Sequence, residues 1–114
     1  MKREYADYLN DIYDSIEKIE KFTKHMKFPQ FESDDRTVLA VVKALEIIGE
    51  AVKKIPLSIK NKYPRIPWRK ISGMRDKLVH EYFGINIKVV WKTIKEDLPP
   101  IKPLIHEIIR SLSV

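Results

Sequence analysis

Asp35-Arg36-Thr37-Val38-Leu39-Ala40-Val41-Val42-Lys43-Ala44-Leu45-Glu46-Ile47-Ile48-Gly49-Glu50-Ala51-Val52-Lys53-Lys54 is the stretch that decides the fold. Val38, Val41, Val42, Leu45, Ile48 and Val52 recur at steps of three and four, the spacing that puts side chains on one face of a helix. Ser33-Asp34-Asp35 supplies side-chain oxygens able to cap its first turn. Gly49 costs a helix about 1 kcal/mol relative to alanine. Its expected use is to let another helix come close.

Working outward, residues from about 4 to 26 repeat the pattern, with Tyr5, Leu9, Ile12, Ile16 and Ile19 as the stripe. Phe28-Pro29-Gln30-Phe31 is expected to break that helix, because proline lacks an amide donor and restricts its predecessor. On the other side, Ile55 to Pro67 holds three prolines and reads as a connector with a short helical turn over Ser58 to Tyr63. Pro67-Trp68-Arg69-Lys70 opens the next helix, with Ile71, Met74 and Leu78 facing inward and Tyr82-Phe83-Gly84 closing it. Asn86 can cap a further helix carrying Ile87, Val90, Trp91 and Ile94, stopped by Pro99-Pro100. The last, about 101 to 112, carries Ile101, Leu104, Ile105, Ile108, Ile109 and Leu112. No run alternates with strand period. The expected fold is all-α, an antiparallel bundle of about five helices, in one domain covering residues 1–114.

Apolar residues make up 44% and charged residues 33% of the chain, as in ordinary globular proteins. No apolar run approaches the roughly 18–20 residues that a membrane span needs. Met1-Lys2-Arg3-Glu4 leads into acidic and polar residues, unlike a signal peptide. The chain has no cysteine, which excludes disulfides and thiolate metal sites and suits a reducing, cytoplasmic setting. Net charge is +6 and unevenly spread: Lys53 to Lys77 contains nine basic residues and one acid, Asp76. Such a run fits a polyanion, with Lys53, Lys54, Arg69, Lys70 and Lys77 as candidate phosphate contacts. A solvated lysine-rich face would have the same composition.

The candidate chemistry narrows quickly. His25, His80 and His106 are widely separated and form no His-Glu-x-x-His pair, so no metal or cofactor is expected. Gly49, Gly73 and Gly84 are isolated, which leaves no phosphate-cradling loop, and no serine sits on a nucleophile turn. Arg75 and His80 remain. Five residues apart, they stand about 140° around and about 7.5 Å along a helix. One helix therefore does not stack them, and a second must complete any pocket. His80 falls in the last turn, where the helix dipole favours an imidazolium, and Asp76 one turn earlier pushes the same way. Both effects keep the imidazole able to exchange protons near neutral pH. Trp68 and Trp91 read as core anchors.

Arg75-x4-His80-x-Tyr82 resembles the R-x4-H-x-Y signature of HEPN-domain toxins of the HepT type. Leu45-Glu46-Ile47-Ile48-Gly49-Glu50-Ala51-Val52, Tyr63-Pro64-x-Ile66-Pro67-Trp68, Tyr82-Phe83-Gly84 and Asp97-Leu98-Pro99 are similar to that family's pattern as well, so the likeness spans nearly the whole chain. The resemblance implies the toxin of a type VII toxin–antitoxin pair, a metal-independent endoribonuclease paired with a minimal nucleotidyltransferase antitoxin. It implies a two-fold homodimer with both motifs lining one cleft, His80 as acid or base, and Arg75 stabilising the transition state. It also implies that the antitoxin silences the protein by AMPylation at Tyr82. The alternative is a non-catalytic helical module that binds a nucleotide or the nucleotidyltransferase.

Overall fold

The helix carrying the deciding stripe runs Asp35–Lys54 and all six stripe positions are buried. Asp34 caps it: the carboxylate accepts from the Thr37 amide at 3.0 Å. That bond from the Thr37 amide, followed by further hydrogen bonding to Thr37, holds the Asp34 carboxyl below its ordinary value of 3.8. A depressed carboxyl stabilises the fold above the unfolded-state value and loses that contribution as pH falls through the folded one. Asp34→Ala should therefore lower the melting temperature at neutral pH. Its gap from the parent protein should close as the pH is taken below about 3.8. A gap unchanged at acid pH would contradict the cap.

The computed structural model describes residues 4–80 and 86–112; the side chains at 75 and 77–80 lie outside that description. Among the described residues there are seven α-helices and no strand. They are α1 (Tyr5–Thr23), α2 (Phe28–Ser33), α3 (Asp35–Lys54), α4 (Leu57–Lys62), α5 (Trp68–His80), α6 (Ile87–Lys92) and α7 (Ile101–Leu112). The long α3 packs against α1 and α5, and α7 closes on α1. Leu9, Ile12, Ile16 and Ile19 of α1 join Ile71 and Met74 of α5 and Ile101, Ile105 and Ile108 of α7 in one core. No described helix is long and apolar enough to cross a membrane.

The structure departs from the sequence expectations at four places. The first helix ends at Thr23, before the proline, in a turn where His25 adopts a left-handed φ of 67°. Pro29 lies in the first turn of α2, where its missing amide would have had no partner anyway. Phe31 of that helix is fully buried. The helix expected to run on to Pro99-Pro100 is α-helical only to Lys92 and then widens into a π-helical turn, Thr93–Asp97, in which the Leu98 amide donates to the Thr93 carbonyl at 3.0 Å. At the C-terminal end, Leu112 is 37% exposed and contributes little to the core.

Gly49 is buried. Gly73 is different, because a methyl group placed on it meets nothing within 4 Å. Gly73→Ala should stabilise α5 by about 1 kcal/mol, raising the melting temperature by roughly 4 °C. A lower melting temperature would mean that this space is filled by something other than the described residues.

Candidate nucleic-acid interface

The basic run between Lys53 and Lys77 folds into the end of α3, the short α4 and most of α5. Trp68 opens α5 and is fixed by its indole Nε1, which donates to the Tyr63 carbonyl at 3.1 Å. Ile71 and Met74 turn inward from there, leaving Arg69, Lys70 and Asp76 exposed. The backbone of Arg75 and His80 lies within α5, and His80 is its last residue. Their side chains, and that of Lys77, fall outside the described residues, as does Tyr82 entirely.

The described cations are not equivalent. Lys53 Nζ lies 3.6 Å from an Asp76 carboxylate oxygen, tying α3 to α5. Lys70 Nζ lies 3.3 Å from Asp97 of the π-helical turn. Lys54 and Arg69 are exposed and form no ion pair among the described residues. Exposed ion pairs of this kind are worth about 0–1 kcal/mol, so Lys53 and Lys70 can exchange a carboxylate for a phosphate at little cost. Asp76 faces a cation of α3, which competes with any support it gives to His80. The described partner is Lys53.

A second charge cluster joins α1 to α7, away from α5. Lys102 donates to Glu20 at 2.6 Å, with Glu17 3.8 Å away, and lies over the Tyr13 ring. The Glu20 hydrogen bond raises the Lys102 ammonium above its usual value. Stability gained this way is present below the unfolded-state value and is lost as pH rises through the folded one, so it is constant across neutral pH. His106 is stacked on Tyr13 at 5.3 Å and exposed, and His25 is exposed. Among the described residues no three His, Asp or Glu side chains converge as metal ligands.

Asn61 and Ser72 were not singled out by sequence reasoning, yet the fold gathers them with Arg69 in a cleft between α4 and α5. A lone asparagine beside a proline-bounded turn carries no pattern of its own.

The model of a family described as "Ribonuclease HepT-like" matches residues 12–108, which contain α3, α4, α5 and the motif. A Thermococcus cleftensis protein named "Probable ribonuclease HepT" is 54% identical over 102 residues, covering 90% of this chain and 93% of its own. A Methanocaldococcus jannaschii protein described as a candidate RNase is 45% identical over 111 residues, 97% of this chain and 92% of its own. Another such protein, from Caldanaerobacter subterraneus, is 41% identical over 103 residues, 90% of this chain and 92% of its own. No solved structure gives a significant match.

Proposed function

The chain belongs to the HepT-like ribonuclease family, and from that premise we propose that it is a metal-independent endoribonuclease whose catalytic residues are Arg75 and His80. The observation that carries this is the placement of the motif. Arg75 and His80 lie inside the matched region and within the span of α5, the helix on which Arg69 and Lys70 are exposed. The proposed extent is a single helical domain over residues 1–114.

RNA carries its own nucleophile. The ribose 2′-hydroxyl attacks the adjacent phosphorus, His80 takes its proton, and the bond to the 5′-oxygen breaks. The leaving oxygen needs a proton in return, and His80 of a second copy would donate it as an imidazolium. Arg75 stabilises the charge that develops on the non-bridging oxygens. The products are a 2′,3′-cyclic phosphate and a 5′-hydroxyl. Lys53, Lys54, Arg69, Lys70 and Lys77 hold neighbouring phosphates, so affinity should fall steeply with salt.

This scheme needs two copies, and a homodimer is part of the proposal. It should bury more than about 1,000 Å², the usual floor for a specific association. Leu39 and Ile47 on α3, 54% and 39% exposed, are apolar surface available to such a contact. Sedimentation at tens of micromolar should give a dimer. A monomer that still cleaves RNA would overturn the two-copy scheme.

The biological setting proposed is the toxin of a type VII pair in the cytoplasm, with a minimal nucleotidyltransferase as antitoxin and Tyr82 as the AMPylated residue. The chemistry supports such a switch. A phosphodiester on Tyr82 would place negative charge near Arg75 and compete with RNA phosphate for the same donors. Incubation with that enzyme, ATP and magnesium should add mass at Tyr82 and abolish cleavage, whereas Tyr82→Phe should stay active. Silencing of Tyr82→Phe, or modification elsewhere, would contradict the assignment.

A further inference from the structure

We propose that the cleft between α4 and the first turns of α5 is a subsite for one nucleotide of single-stranded RNA flanking the cleaved bond; this rests on the ribonuclease function proposed above. The cleft encloses about 480 Å³, within the range of small-ligand sites. Leu57, 71% exposed, Pro64 and the mostly buried Trp68 supply its apolar lining, beside the polar Lys60, Asn61, Arg69 and Ser72. The Trp68 indole is held in place by its bond to the Tyr63 carbonyl.

Two cations, Lys60 and Arg69, line the cleft, no acid does, and neither has an ion pair among the described residues. Two other clefts of the molecule lack this imbalance. One, of about 280 Å³, sets Arg65 and Lys70 against Glu96 and Asp97. The other, of about 410 Å³, sets Arg110 beside Glu107. A cleft of mixed lining with uncompensated positive charge fits a group with a flat body, polar edges and a phosphate. Asn61 offers an amide donor and acceptor to a base edge. The Ser72 hydroxyl donates to the Arg69 carbonyl at 3.0 Å, which leaves its oxygen free to accept from a ribose hydroxyl.

Position links the cleft to the reaction. Ser72 and Arg75 are three residues apart on α5, so they are neighbours on its surface and about 4.5 Å apart along its axis. A strand with its scissile phosphate at Arg75 would therefore bring an adjacent nucleotide to Ser72 and Arg69. In contrast, Lys53 and Lys70 are each engaged by a carboxylate and serve the more distant backbone.

The test uses the full chain carrying His80→Ala, so that RNA stays intact, and fluorescein-labelled single strands of about ten nucleotides. Arg69→Gln should weaken binding about fivefold or more and reduce the salt slope by about 0.7, the loss of one phosphate contact. Leu57→Asp should weaken it further, and Asn61→Ala should change the preference between oligo(A) and oligo(U). Arg110→Gln removes the same charge from another cleft and should stay within about twofold. In the parent sequence, Arg69→Gln and Leu57→Asp should raise KM far more than they lower kcat. Binding indifferent to Arg69 and Leu57, or equally weakened by Arg110→Gln, would overturn the subsite. Cleft-dependent binding without cleavage by the parent chain would instead overturn the ribonuclease function and leave the subsite standing.

Discussion

Replacing His80 with alanine is expected to lower RNA cleavage by about 10²–10⁴-fold, the usual contribution of a positioned acid or base. Arg75→Ala should cost about 10²–10³-fold, as loss of one donor to the developing phosphorane charge would. Neither change should move the melting temperature by more than a degree or two. Neither residue belongs to the apolar stripe Ile71, Met74 and Leu78 read from the sequence, and substitutions outside a core usually stay within about 0.5 kcal/mol. Circular dichroism melts beside single-turnover cleavage would check both halves. Loss of activity together with loss of fold would reduce these residues to a structural role.

Phe31→Ala is expected to do the reverse. The ring is fully buried and lies 5.0 Å from Trp91, which also meets Phe28 at 6.1 Å and carries Lys95 over its face. Truncating a buried phenylalanine costs about 3–5 kcal/mol, against a total of about 5–15 kcal/mol for a domain. The melting temperature should fall by roughly 10–20 °C, with kcat preserved in whatever fraction stays folded at lower temperature. A change below about 1 kcal/mol would show that α2 does not anchor α6 to the bundle.

These substitutions mark what the sequence made legible. The α3 stripe was readable because helical periodicity is a local signal, and its six positions are all buried. The caps at Asp34 and Asn86 were readable for the same reason: each side chain accepts from an amide three residues on. Phe31 was not, because a proline beside it read as a stop when it begins a helix. The π-helical turn left no trace in composition, since any sequence can widen by one residue ahead of Pro99-Pro100. On the basic face, charge density was legible but pairing was not. Lys53–Asp76 and Lys70–Asp97 form between elements far apart in the chain, and only packing decides which cations remain free. The cleft lined by Asn61 and Arg69 is likewise a product of how α4 docks beside α5.

The central claim is that RNA supplies the nucleophile and His80 moves the proton. It is tested most directly by end-group analysis of a single-stranded RNA cut in the presence of a chelator, beside the same strand with a 2′-deoxyribose at the scissile position. The expected result is a 2′,3′-cyclic phosphate and a 5′-hydroxyl from the all-ribose strand, none from the deoxy strand, and none from His80→Ala. Cleavage of the deoxy strand, 5′-phosphate ends, or activity restored only by added divalent metal would contradict it.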